Sequence, residues 1–146
     1  MCKILISGYY GFGNAGDEAL LSSILQALLE LEPKAEITVI SGNPSETMST
    51  HKVKAIGRFD MWKIYQAVYS CDMLISGGGS LLQDVTSARS LYYYLSIIAL
   101  ANTLGKRVMI YAQGIGPLRK PLARTTVGHM LNRVSQITVR DHASKE

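Results

Sequence analysis

Lys3-Ile4-Leu5-Ile6-Ser7-Gly8-Tyr9-Tyr10-Gly11-Phe12-Gly13-Asn14-Ala15-Gly16-Asp17-Glu18 opens the chain with an apolar run, a glycine-rich turn and an acidic pair. Residues 4–7 have the length and composition of a buried strand. Beyond the turn, Leu21, Ile24, Leu25, Leu28 and Leu31 recur at helical spacing, with Asp17 at the expected N-cap and Glu18 in the first turn. The unit is strand, glycine loop, helix.

The same alternation continues. Strands are expected at 37–41, 73–76, 108–112 and 137–140, and helices at 62–69, at 90–104 (stopped by Gly105) and from Pro121 to about Arg133. Residues 42–51, rich in Asn, Pro, Ser and Thr, read as an irregular connection. Repeated β-α-β order with short links implies an α/β fold, a Rossmann-like doubly wound parallel sheet with helices on both faces. Ligands of such sheets sit beyond the carboxyl ends of the strands.

The chain has 146 residues, the size of one domain, and at 47% hydrophobic it can bury a core. Its formal net charge of +4 is spread out, which argues against a nucleic-acid arm or polybasic anchor. Cys2 and Cys71 form no metal-binding or disulfide pattern, and a reduced, cytoplasmic setting fits them. The start lacks the pattern of a signal peptide, and the most apolar segment, 91–101, interrupted by Tyr92, Tyr93 and Tyr94, is shorter than the roughly 18 residues of a membrane span. His51, His129 and His142 show no metal-ligand spacing, so no metal site is expected.

Each glycine-bearing loop of interest comes directly after an expected strand. The first allows close backbone approach and opens onto a helix N-terminus, which suits phosphate or carboxylate. Gly11, Gly13 and Gly16 spell the dinucleotide fingerprint, but Ser41-Gly42-Asn43 stands where an acidic residue should hold the ribose, which argues against a nicotinamide cofactor. Tyr9, Tyr10 and Phe12 either stack on a sugar ring or pack back on the sheet. The second loop, Ser76-Gly77-Gly78-Gly79-Ser80-Leu81-Leu82-Gln83-Asp84, is either an anion-binding nest or a structural glycine turn. The third, Gln113-Gly114-Ile115-Gly116-Pro117-Leu118-Arg119-Lys120, brings two cations, of which Arg119 serves equally as a solvated helix-entry residue. Arg140, closing the last strand, either grips a carboxylate or phosphate or pairs with Asp141.

Taken in order, Gly-Tyr-Tyr-Gly-Phe-Gly-Asn-Ala-Gly-Asp-Glu-Ala, then Gly-Gly-Gly-Ser-Leu-Leu-Gln-Asp, Gln-Gly-Ile-Gly-Pro-Leu and Val-Arg-Asp resemble the polysaccharide pyruvyl transferase family over nearly the whole chain. The spelling is most similar to bacterial enzymes that pyruvylate secondary cell-wall polysaccharide, to which S-layer homology domains bind. The resemblance implies that residues 1–146 are the N-terminal half of a GT-B-like two-domain enzyme, truncated after its last strand and inactive alone. It implies transfer of a pyruvyl group from phosphoenolpyruvate, a co-substrate rather than a cofactor, to two sugar hydroxyls of a cell-wall or exopolysaccharide precursor, giving a ketal and phosphate. Gly13, Asn14 and Asp17 would line the cleft, Gly78, Gly79 and Ser80 would meet an anion or sugar, and Gln113 and Arg140 would complete the donor side. The catalytic acid and base would lie in the absent C-terminal half. The acceptor would be saccharide, lipid-linked or free, and the enzyme cytoplasmic or at the inner membrane face. A GT-B glycosyltransferase using a nucleotide sugar, and a non-catalytic anionic-saccharide-binding module, are the rival readings.

Overall fold

The computed structural model describes residues 2–77, 88–113 and 136–139 and, singly, 121, 125 and 128. The chain builds β1 (Lys3–Ser7), α1 (Ala15–Leu31), β2 (Glu36–Ser41), α2 (Pro44–His51), β3 (Lys54–Gly57), α3 (Met61–Ser70), β4 (Met73–Gly77), α4 (Ala88–Thr103), β5 (Arg107–Gln113) and β6 (Gln136–Val139). The strands form one 6-stranded sheet in the order β3-β2-β1-β4-β5-β6, parallel throughout. This is the expected Rossmann-like doubly wound α/β sheet, and the order reverses between β1 and β4.

Apolar runs suit these strands because helices cover both faces. Alternation divides each run between two cores. Leu5, Ile40, Leu74, Val108 and Ile110 face α3 and α4, meeting Ile64, Val68, Leu95 and Ile98. Ile4, Ile6, Ile37, Val39 and Ile75 face the other way, onto Leu21, Ile24 and Leu25 of α1. Fully burying one such side chain is worth about 1.5–3 kcal/mol, so the paired cores dominate the fold's stabilisation.

The structure corrects the sequence reading at several points. Residues 42–51 are not an irregular connection: Pro44–His51 is a helix, with Pro44 in its first turn and the Asn43 side chain accepting a hydrogen bond from the Glu46 amide. The strand at Lys54–Gly57 is additional to those expected; it is short, half-buried and at the sheet edge, so it carries no apolar run. Asp17 is not the N-cap of α1. Asn14 is, its Oδ1 accepting from the Gly16 and Asp17 amides at 3.0 and 3.2 Å. The expected stop at Gly105 holds, with φ +72° and the Lys106 amide returning to Ala101 O at 2.9 Å. Pro121, Thr125 and Gly128 are helical, and the rest of that expected helix lies outside the described residues.

Candidate functional site

Where the strand order reverses, β1 and β4 run side by side, and their carboxyl ends mark the edge at which open α/β sheets bind their ligands. The first glycine loop is built into that edge. Tyr10 turns inward and is 1% exposed, its hydroxyl donating to Gly77 O at 2.7 Å, so the loop after β1 is tied to the end of β4. Of the two fates open to the loop aromatics, Tyr10 takes the buried one. Tyr9 and Phe12 stay partly exposed and stack on each other, ring centroids 4.2 Å apart.

The loop also lies against the end of β2. The Gly42 amide donates to Tyr10 O at 2.8 Å, and Phe12 covers Gly42 so closely that a Cβ there would lie 2.6 Å from the ring. Ser41 bonds Thr47 Oγ1 and the Asn43 amide, and Asn43 caps α2. The position at which a dinucleotide fold presents an acid to the ribose is therefore occupied in starting a helix.

Arg58, immediately after β3, is the residue that sequence reasoning missed. Its guanidinium carbon stands 5.0 Å from the Phe12 ring centroid and 4.8 Å from those of Phe59 and Tyr93. The Tyr93 hydroxyl donates to Arg58 O, and the Arg58 amide donates to Ser41 O at 3.0 Å. Buried Arg58 Nε has no hydrogen-bond partner among the described residues. No motif contains Arg58, and the strand that positions it carries no apolar run; the signal was its place ahead of Phe59-Asp60, where Asp60 caps α3.

Burial raises three titratable groups around the first loop. Burial, with a smaller push from Glu18, raises the Asp17 carboxyl above its usual range. Burial, partly offset by the Arg58 cation, pushes the Tyr94 hydroxyl up to about 12, with smaller pushes from Tyr93, Tyr9 and Asp17. The Tyr10 hydroxyl is likewise held up, first by burial and then by Asp17, Glu18 and Tyr94. Ser7 Oγ and the Tyr94 hydroxyl are buried without a partner among the described residues. His51 Nε2 stands 3.7 Å from Glu18 Oε1, joining α2 to the first turn of α1.

The start of α1 is capped and acidic. Two α1 amides are already taken by Asn14, and Asp17 and Glu18 place negative charge in the first turn. An anion there would face both carboxyl groups, whereas a polyol can donate hydroxyls to Asp17 and accept from the Asn14 amide group. Of the other expected site residues, Gln113 ends β5 opposite Val139. Gly78, Gly79, Ser80 and Arg140 lie outside the described residues. Among the described residues no cluster of His, Cys, Asp and Glu can hold a metal ion, and no helix is long and apolar enough to cross a membrane. A cavity of about 60 Å³ beside Lys3, Glu36 and Cys71 lies at the opposite edge of the sheet and is far below the ~300 Å³ of ordinary ligand pockets.

Sheet order and all-parallel pairing define a Rossmann-like α/β domain. The chain belongs to the polysaccharide pyruvyl transferase family, whose model matches residues 14–146, Asn14 and Asp17 included. It is thus a transferase domain of polysaccharide biosynthesis with a saccharide acceptor. No curated protein matches it.

Proposed function

We propose that the protein transfers a pyruvyl group from phosphoenolpyruvate to two hydroxyls of a saccharide in a cell-wall or exopolysaccharide precursor. Family membership over residues 14–146 is the observation that carries this reading. Protonation of the donor's methylene carbon makes its C2 electrophilic, one sugar hydroxyl adds there, phosphate leaves, and the second hydroxyl closes the ketal with loss of its proton. Asn14 and Asp17 hold the acceptor, as the acidic character of the α1 terminus favours. Gly78, Gly79, Ser80, Gln113 and Arg140 serve the donor, with Arg140 on its phosphate or carboxylate. A second Rossmann-like domain, opposed in the GT-B manner, supplies the acid and base. The acceptor belongs to the secondary cell-wall polysaccharide class, and the enzyme works in the cytoplasm or on the inner membrane face.

The test is phosphate release from phosphoenolpyruvate by the full-length protein with cell-wall disaccharide acceptors. Release should require acceptor; Asp17→Asn should raise the KM for acceptor, and Arg140→Ala the KM for phosphoenolpyruvate, each about tenfold or more. Turnover of a nucleotide sugar, with no phosphate released from phosphoenolpyruvate by any acceptor, overturns the proposal.

A further inference from the structure

α3 is apolar on two faces. Ile64 and Val68 are buried against the sheet, as a surface helix requires. On the outside, Trp62, Tyr65 and Tyr69 form a second stripe, Trp62 67% and Tyr69 63% exposed, with neighbouring ring centroids 6.1 and 6.4 Å apart. Phe59 and Met61 extend it toward the carboxyl edge, both exposed. Cations border the stripe: Lys106 Nζ lies 5.7 Å from the Tyr69 ring centroid, Lys63 is exposed on the helix, and Arg58 precedes its start. Two acids stand beside it, Asp60 at 3.8 Å from Lys63 and Asp72 accepting from the Lys3 amide at 2.7 Å, while Lys106 has no acid paired to it among the described residues.

Trp and Tyr are the side chains that settle at the lipid–water boundary, apolar ring inward and polar tip in the headgroups. Basic neighbours add attraction to anionic lipid. Protein–protein interfaces are depleted in lysine, so this mixture fits a bilayer surface better than a second copy or another protein. We propose that the outer face of α3 is a peripheral docking surface for an anionic membrane, Trp62, Tyr65 and Tyr69 entering the headgroup layer and Lys63 and Lys106 pairing with lipid phosphates. Docking here brings the start of α3, which follows the carboxyl end of β3, to the lipid surface. The inference stands on the helix alone and is independent of the reaction proposed above.

Trp62 stands on this face, and the emission lost in a Trp62→Phe variant isolates its signal. The protein is floated with vesicles of phosphatidylcholine containing phosphatidylglycerol, and with phosphatidylcholine alone, alongside Trp62→Ser/Tyr69→Ser and Lys63→Glu/Lys106→Glu variants. The expected result is flotation with anionic vesicles and a blue shift of Trp62 emission. The aromatic variant should partition about tenfold more weakly with both lipids, and the charge variant about tenfold more weakly with anionic vesicles alone. Circular dichroism and phosphate release with a soluble acceptor should be unchanged in both, which separates this proposal from the catalytic one. Absence of flotation, equal flotation of both variants, or a concentration-dependent dimer that shifts Trp62 emission without vesicles overturns it.

Discussion

Gly11 and Gly13 look alike in the sequence and differ in what surrounds them. Both have positive φ, +84° and +75°, in the left-handed region where a side chain costs about 1–2 kcal/mol. A Cβ on Gly13 would meet nothing within 4 Å, while one on Gly11 would press on Ser41 and lie 2.5 Å from the Asn43 amide nitrogen. Gly13→Ala should therefore cost about 1 kcal/mol, the backbone strain alone. Gly11→Ala should cost at least about 3 kcal/mol, because the clash is with backbone and must push the first loop off the start of α2. Urea midpoints of the two variants, read at constant m-value, check this, and equal losses would mean that the loop does not rest on β2 as described. Asp17 and Arg58 show the same dependence on neighbours. A carboxyl at a helix start is legible from sequence, but the burial that raises it and the rings around the guanidinium come from segments remote in the chain.

Helix starts are the elements least legible in the sequence, and the reason is local. Asp17 has the composition of an N-cap, yet Asn14 reaches the Gly16 and Asp17 amides first, since Gly13 at positive φ turns the chain into the helix ahead of it. Asn43-Pro44-Ser45-Glu46 has the composition of a loop and also the marks of a helix start: a capping residue, proline in the first turn and an acid three positions on. In the structure Asn43 Oδ1 accepts from the Glu46 amide, and Asn43 Nδ2 donates to Glu46 Oε2 at 3.0 Å. Strands in the middle of the sheet are legible because burial on both faces demands continuous apolar runs, whereas edge strand β3 pairs on one side only and needs none. Capping energetics give a test at this scale. Asn43→Ala should destabilise the fold by about 1 kcal/mol and lower the protection of α2 amides while leaving α1 amides unchanged, measured by hydrogen exchange. Uniform loss across both helices would show that α2 has no separate stability to lose.

Across the whole molecule the two edges of the sheet are built for different tasks. At the amino edge, bonds close the structure: the Lys3 amide to Asp72, the Asp72 amide to Lys3 O, the Glu36 amide to Cys2 O, and Lys54 paired with Glu36. At the carboxyl edge, glycines replace side chains, buried hydroxyls of Ser7 and Tyr94 lack partners among the described residues, and Asp17 holds its proton above the usual range. Buried polar groups without partners beside a loop fixed by hydrogen bonds are what a binding edge on a rigid scaffold requires. Substrate should therefore protect the molecule asymmetrically. With saccharide acceptor and phosphoenolpyruvate at about 100 times their dissociation constants, binding is worth about 2.7 kcal/mol, so amides of residues 8–18 that exchange by local opening should slow by up to about a hundredfold. Amides near Lys3, Glu36 and Asp72 should keep their rates wherever they too exchange locally, because no ligand contact reaches that edge. Asn14→Ala should abolish the acceptor-dependent part of the protection and spare the part due to phosphoenolpyruvate alone, since only the acceptor is assigned to the α1 terminus. Protection concentrated at the amino edge would instead place the ligand at the small cavity beside Glu36 and Cys71 and remove the carboxyl edge from consideration.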